Sequence, residues 1–367
     1  MDLLSRFTHY LSTITKEDKI AVLYHAYCTD GLCSALITVK ALERYLGRNV
    51  NFKIYYGLYY ISEEIIQFFS NNGITKVIFV DLALYSKEEM IKKTEQTVDL
   101  LLIDHHEFNH DLNSEHTLFL HASLLHPEIK SYYYPASKLV YDLFSPFVRI
   151  DDLDWLACVG LISDSAYLQW KDFVIDVMQK HSFEFKEDIF STELGKLIGN
   201  IGAAQRFNET GEKNVFNIVY HAVSCKEVMN HPLLLDCKRN IEHELEYWVA
   251  LRGNAQIYGN LIIYFIVPKY DIGARLATFL VSKYFLNKTV VVISGKGDYA
   301  RVSARDYTTL RVNDLLQKSV REIPFASAGG HVNCAAAKFK LECLHLFTLA
   351  LTLSYTALKS EELKENS

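Results

Sequence analysis

Three short apolar runs each end on a side chain able to hold a metal or a phosphate, and this repetition constrains the fold more than any other feature of the chain. Ala21-Val22-Leu23-Tyr24 leads into His25 and then Cys28-Thr29-Asp30-Gly31, Val77-Ile78-Phe79-Val80 ends on Asp81, and Leu101-Leu102-Ile103 ends on Asp104-His105-His106. Short continuous apolar runs of this kind read as strands buried on both faces, as in parallel sheets. In open α/β sheets the carboxyl ends of the strands line the ligand crevice. One polar strand end is an ordinary cap or solvent-facing group; three that share hard-ligand chemistry imply a common cluster.

The intervening segments are helical. Leu32 to Leu46 carries apolar residues at 32, 35, 36, 39, 42, 45 and 46, one buried helical face, and Gly47 ends it. Ser62-Glu63-Glu64 and Ser86-Lys87-Glu88-Glu89 have the form of helix caps and first turns. Strands alternating with helices predict a mostly parallel sheet covered on both faces, with right-handed crossovers bringing the strand ends to one edge. Residues 107–134 read as a loop with scattered histidines, and Leu153 to Leu168 as a helix containing Asp164. An aspartate on an apolar helical face is costly unless paired or bound to metal, so Asp164 is the fourth carboxylate candidate.

Residues 170–250 are helical without a motif and read as a linker or insertion. Strand patterns return at Leu261–Ile266, Val290–Ile293 and Tyr299–Ser303, with Arg301 and Arg305 flanking Ser303. Gly329-Gly330-His331 then precedes an alanine run, which predicts backbone amides exposed at the mouth of a helix, suited to an anion. The expected divisions are 1–170, 171–250, 251–345 and a C-terminal helix and tail over 346–367.

Composition narrows the function. A net charge of -6 argues against a long basic track for duplex DNA but not against a small phosphorylated substrate handled by metals and a few arginines. Seven cysteines without a CxxC pair read as reduced thiols, and with no signal-peptide pattern at Met1 the expected location is the cytoplasm. Leu346 to Leu358, interrupted by Thr and Ser, falls short of a membrane span of about 20 residues and reads as a packed helix.

Together, His25, Cys28, Asp30, Gly31, Ser34 and Ala35, the isolated Asp81, Asp104-His105-His106, Gly160 with Asp164, Ser303-Ala304-Arg305 and Gly329-Gly330-His331 through Ala337 resemble the motifs of the DHH phosphoesterase superfamily. They resemble in particular its two-domain DHH/DHHA1 members, which include RecJ-like exonucleases and oligoribonucleases. The resemblance covers residues 20–170 and 250–340. It implies an α/β DHH domain, with a mostly parallel sheet and helices on both faces, and a smaller α/β DHHA1-like domain.

It also implies a pair of Mn²⁺ ions, with Mg²⁺ or Co²⁺ as substitutes. By analogy His25, Cys28 and Asp81 hold one ion and Asp30, Asp81, His105 and Asp164 the other, with Asp81 as the bridge. Asp104 would orient a histidine or a water and His106 would contact the phosphate, which makes both catalytic candidates. Arg301, Arg305, Gly329, Gly330 and His331 would hold the substrate in a cleft below the smaller domain. The implied activity is hydrolysis of short or single-stranded nucleic acid to mononucleotides, the partners being short oligonucleotides or other small phosphorylated nucleotides, with no membrane and an oligomeric state left open, dimer included. Cleavage of a cyclic dinucleotide or a 3′,5′-bisphosphate nucleotide would use the same centre, and a catalytically silent scaffold that binds nucleic acid or protein is the alternative of another class. Cys28 departs from the pattern: it stands where the family has a carboxylate, and a thiolate is a softer ligand.

Overall fold

The buried apolar runs do form strands. In a computed structural model describing residues 2–47, 52–56, 61–84, 88–207 and 211–365, β1 is Ile20–Tyr24, β2 Phe52–Tyr56, β3 Lys76–Val80, β4 Asp99–Asp104 and β5 Thr117–His121. They make one parallel sheet in the order β2-β1-β3-β4-β5. The chain leaves β1 in one direction and β3 in the other, so the point where strand order reverses lies between them, the place where such sheets bind ligands.

Alternate residues serve opposite faces, as the strand period demands. Val22, Tyr24, Ile78, Val80, Leu101 and Ile103 join one core with α1 (Leu3–Ser12), α2 (Thr29–Leu46), α6 (Ala136–Phe144) and α7 (Asp154–Ser163). Ala21, Leu23, Val77, Phe79, Leu100 and Leu102 join another with α3 (Glu63–Asn71) and α4 (Glu88–Thr94). Ser62 caps α3 by accepting from the Ile65 amide; the expected cap at Ser86-Lys87 lies outside the described residues. The stretch 107–134 is more ordered than its sequence pattern suggests, holding β5 and α5 (Ala122–Leu125), because β5 pairs with β4.

The chain divides into Met1–Cys237 and Lys238–Ser367, not at 170 and 250. The segment after 170 belongs to the first unit. Its helices α8 (Lys171–Lys180), α9 (Glu193–Gln205), α10 (Gly211–His221) and α11 (Cys225–Met229) place Val174, Met178, Leu197, Ile201, Phe216 and Val228 in the core shared with α2 and α7. Burying these side chains, each worth about 1.5–3 kcal/mol, makes the segment part of the domain and not a linker. The boundary falls within α12 (Pro232–Ala250).

The second unit has a six-stranded sheet in the order β10-β11-β9-β8-β7-β6, antiparallel except for the pair β7 and β8. Its strands are β6 Gln256–Tyr258, β7 Leu261–Ile266, β8 Thr289–Lys296, β9 Tyr299–Arg305, β10 Ser327–His331 and β11 Cys334–Lys340. α13 (Gly273–Lys283) packs on β8 and β9, while α14 (Val312–Val320) and α15 (Leu344–Glu365) share a core with Val302, Ala335, Ala337 and Phe339.

Two expectations change here. The glycine and alanine run is a β-hairpin and not the mouth of a helix, because alternation decides it: Ala335, Ala337 and Phe339 are buried, while Ala336 and Lys338 are exposed. The C-terminal helix is longer than expected, and Leu341–Glu361 is long and apolar enough, by length and composition, to cross a membrane. Within the unit it buries Phe347 and Leu351, the Phe347 ring stacking 4.4 Å from that of Phe339.

Candidate metal centre

Strand register brings the site together. Tyr24, Val80 and Ile103 stand in one row across β1, β3 and β4, so His25, Asp81 and Asp104 emerge side by side at the carboxyl edge. Asp81 turns out of its strand with φ 55°, a left-handed conformation costing a non-glycine residue of order 1–3 kcal/mol and typical of functional positions. The loop after His25 is closed by the Cys28 amide donating to the His25 carbonyl at 3.1 Å, and Cys28 then caps α2, whose first turn carries Asp30.

Gly31 is required by close packing, since a β-carbon there would lie 2.6 Å from the His25 carbonyl and 2.8 Å from Asp81 Oδ2. At Gly160 one would lie 2.2 Å from Ser137 Oγ and 2.5 Å from Asp30 Oδ1. Asp164 is not inside a helix, as its sequence context suggests. Helix α7 stops at Ser163, Asp164 is its C-cap, and Ser165 follows with φ 60°. The carboxylate thus leaves the helix end into the cluster instead of projecting from an apolar face.

Three groups of donors lie mutually within 4.8 Å: His25, Cys28 and Asp81; Asp81, His105 and His106; Asp30, His105 and Asp164. His105 Nε2 stands 3.4 Å from Asp81 Oδ1, 3.3 Å from Asp164 Oδ2 and 4.0 Å from Asp30 Oδ2. His25 Nδ1 is 4.0 Å from Asp81 Oδ2, and Cys28 Sγ is 3.9 Å from Asp164 Oδ1. Although buried, neither oxygen of Asp81 nor either ring nitrogen of His105 has an aligned hydrogen bond. Unsatisfied buried charge of this kind costs several kcal/mol unless a cation joins it. Carboxylate oxygens, imidazoles and one thiol converging on that vacant valence fit divalent metal ions, and Asp81 is common to two of the groups.

The electrostatics point the same way. Burial, then the charges of Asp164 and Asp81, push the Asp30 carboxyl up to about 8; burial and Asp81 push Asp164 up to about 6. Burial opposes a charge on His105, yet Asp81, Asp30 and Asp164 outweigh it and carry its pKa to about 10. Burial and the same three aspartates raise the Cys28 thiol well above its ordinary value. Without a cation these groups suppress one another's ionisation; with one, all can be charged.

Asp104 faces away from this competition. Its Oδ1 accepts from the His105 amide at 2.8 Å and lies 2.7 Å from His106 Nδ1. Burial opposes charge on both, but their mutual bond holds Asp104 below the usual carboxylate range and raises His106. His106 is thereby oriented with Nε2 left over.

Several residues around the site have no signal in the local sequence. His121 Nδ1 accepts from the Ser123 amide, so its Nε2–H donates to the His106 carbonyl at 2.7 Å and holds the backbone of the triplet. The Ala136 and Ser137 amides, at the start of α6, donate to Asp30 at 2.7 and 3.1 Å. Gln205, fully buried at the end of α9, donates from Nε2 to the carbonyls of Ala26 at 2.8 Å and Cys28 at 3.1 Å, and its Oε1 accepts from Thr29 Oγ1 at 3.2 Å. Arg206 donates to the carbonyls of Tyr27 and Gly202, and its charge lowers the pKa of His25, though burial lowers it more. A motif search within 20–170 does not reach Gln205 or Arg206.

In the second unit, antiparallel pairing sets Arg301 opposite Lys338, Ser303 opposite Ala336 and Arg305 opposite Cys334; Ala336 in turn faces Gly329. These positions share one face of the sheet. Arg301 is committed to Asp271 by a 2.6 Å ion pair. Arg305 donates to Thr278 Oγ1 and the Ala304 carbonyl and has no carboxylate partner among the described residues. Gly329 opens onto empty space, whereas Gly330, with φ 130°, would drive a β-carbon to 2.6 Å from the Cys334 carbonyl. His331 ends β10.

A parallel sheet whose strand ends gather four carboxylates, three imidazoles and a thiol, followed by a mostly antiparallel unit, defines a class of two-domain α/β proteins with a candidate metal centre. Residues 19–156 match the DHH family, N-terminal domain. No curated protein matches the sequence. Among solved structures, the fold is similar to exonuclease RecJ bound to manganese, with TM-score 0.73 at 15% identity over 97% of this chain and 95% of that one. RecJ from Thermus thermophilus in complex with Mn²⁺ gives 0.72 at 14% identity, covering 96% of this chain and 55% of that chain. CDC45 from Entamoeba histolytica gives 0.59 at 10% identity, over 96% and 98%.

Proposed function

We propose that the protein is a divalent-metal-dependent phosphodiesterase that hydrolyses short or single-stranded nucleic acid, releasing mononucleotides. The observation that carries this reading is the set of buried, unpartnered oxygens and nitrogens of Asp81 and His105 amid Asp30, Asp164, His25 and Cys28. The RecJ structures of similar fold hold Mn²⁺, which supports Mn²⁺ in this role. His25, Cys28 and Asp81 would hold one ion and Asp30, Asp81, His105 and Asp164 a second.

When bound, such ions lower the pKa of water and neutralise developing phosphoryl charge. The chain's own residues do the rest. Asp104 fixes His106 through Nδ1, so Nε2 can donate a hydrogen bond to a phosphate oxygen or a proton to the departing alkoxide. Arg206 sets a cation beside His25. Arg305, with the small Ser303, Gly329 and Ala336 around it, offers a free guanidinium edge on a surface low enough for a phosphate to approach. Gly330 and His331 complete that hairpin, and Arg301 takes part only by leaving Asp271. The net charge of -6 favours short substrates, since long strands call for a wide basic groove.

The test is turnover by the purified protein with Mn²⁺ of a labelled dinucleotide, a short oligomer and a long strand, as RNA and DNA, beside a cyclic dinucleotide and a 3′,5′-bisphosphate nucleotide. Dinucleotide and short oligomer should be cleaved fastest. Asp81→Asn should lose about a thousandfold or more, the several kcal/mol expected when ion-mediated charge stabilisation is removed. Full activity in that variant refutes the centre; preference for the cyclic or bisphosphate substrate moves the assignment to those reactions. Binding without turnover of any of them makes the chain a silent scaffold.

A further inference from the structure

We infer that the two metal positions differ in kind: His25, Cys28 and Asp81 form a nitrogen, sulfur and oxygen site for a thiophilic divalent cation of the Zn²⁺ class, beside an oxygen and nitrogen site for Mn²⁺, with Gln205 as the residue that positions the thiol. This rests on the metal-dependent reading above and specifies which ion each position takes.

The donor chemistry is asymmetric. Asp30, His105 and Asp164 offer two carboxylates and an imidazole, a set matched to Mn²⁺ or Mg²⁺. His25, Cys28 and Asp81 offer one donor of each type within the same 4.8 Å limit. Thiolate and imidazole together select Zn²⁺, Co²⁺ or Fe²⁺ over Mn²⁺, both by softness and by position in the divalent affinity series. Asp81 belongs to the group around Cys28 and has both carboxylate oxygens buried without a hydrogen bond.

A cysteine in a mobile loop would be an incidental donor, but this one is held. The loop is tied by the Cys28 amide to the His25 carbonyl at 3.1 Å, and by Gln205 to the carbonyls of Ala26 and Cys28 and the hydroxyl of Thr29. Three of those partners lie on consecutive or near-consecutive residues, and Gln205 has no exposure to solvent. A buried amide that spends its hydrogen bonds on the backbone around a ligand acts as an orienting outer shell, and losing such a group typically costs 10–100-fold in metal affinity. Neighbouring Cys33 is fully buried in the core of α2 and takes no part.

The experiment uses the full-length protein stripped with a chelator and reloaded. Co²⁺ should produce a near-ultraviolet sulfur-to-cobalt charge-transfer band, absent in Cys28→Ser. Protein equilibrated with Zn²⁺ and excess Mn²⁺ and analysed by native mass spectrometry should carry one of each, and Cys28→Asp should shift to two Mn²⁺. Gln205→Ala should weaken Zn²⁺ binding about 10–100-fold and reduce the charge-transfer band, with Mn²⁺ binding at the other position changed far less. Circular dichroism melts of each variant separate these effects from misfolding, and Cys28→Asp restores a ligand where serine does not. Two Mn²⁺ with no sulfur band in the wild type overturns the mixed site while leaving a metal-dependent enzyme. No divalent cation bound at all overturns the metal reading itself. Equal loss at both positions in Gln205→Ala overturns its positioning role.

Discussion

The two units place their candidate chemistry in opposite environments. In the first, the candidate groups sit at buried strand ends or in the helix turn that follows: Asp30, Asp81, Asp104 and His105 are all nearly solvent-free. In the second, Arg301, Ser303, Arg305 and Gly329 lie along one face of a sheet whose opposite face carries the core. Buried groups hold their geometry through dense packing and are sensitive to any added atom. The face in the second unit is open over β10 and β11 and covered by α13 beside β9, and its open part contributes through charge and access. Catalysis of phosphoryl transfer needs both: fixed electrostatics at the reacting centre and an adaptable grip on the substrate.

The sharpest way to break the contrast is a single methyl group. Gly160→Ala forces a β-carbon against Ser137 and Asp30, so urea unfolding should show a loss of about 1–3 kcal/mol together with weakened metal binding. Unchanged stability would mean that the first site is looser than its contacts indicate.

Next in size is the pH response of metal-free protein. Asp30 titrates at about 8 when folded against 3.8 for an ordinary carboxyl, and Asp164 at about 6. The folded state keeps protons that the unfolded chain releases. Their contribution to stability is therefore fully present below pH 3.8 and is lost as pH rises through 6 and then 8. Thermal melts of the chelated protein should fall across that window, and Mn²⁺ should flatten the fall by stabilising the ionised carboxylates. A rise in stability from pH 4 to 8 without metal contradicts the crowding of the cluster, in which three aspartates surround His105.

In the second unit, if Arg305 grips substrate as proposed, Arg305→Gln should raise KM about tenfold, roughly 1.4 kcal/mol, with kcat and melting temperature nearly unchanged. An equal fall in kcat would move Arg305 into the reaction itself. The smallest effect belongs to Gly329→Ala. With nothing near its β-carbon, it should leave stability unchanged or raise it by about 0.5–1 kcal/mol, and any loss of substrate affinity then reports close approach of the substrate to that face.

Much of the first site was legible because it is written locally. Strand, polar end and following helix are contiguous in sequence, so His25, Asp30, Asp81 and His105 could be marked from pattern and then found together. Asp164 was marked as a candidate ligand with the wrong local structure, since a helix end is set by Ser165 turning left-handed and not by hydropathy. Gln205 was invisible: its meaning lies in carbonyls 177–179 residues away. The alanine run was misjudged because alanine favours helix in isolation, while pairing with β9 and burial of every second side chain decide for strand.

By itself, then, the sequence determined the alternation of strands and helices, the candidate ligands and the oddity of Cys28, because each depends on residue chemistry and short-range periodicity. Only the tertiary structure decided that residues 171–237 complete the first unit, that the glycine-rich stretch is a hairpin, and that Gln205 ties the backbone of the Cys28 loop. The reason is one of range. Periodicity reports what a segment can become, but burial of a helix, pairing of a strand edge and satisfaction of a distant carbonyl are settled only when remote parts of the chain compete for the same space.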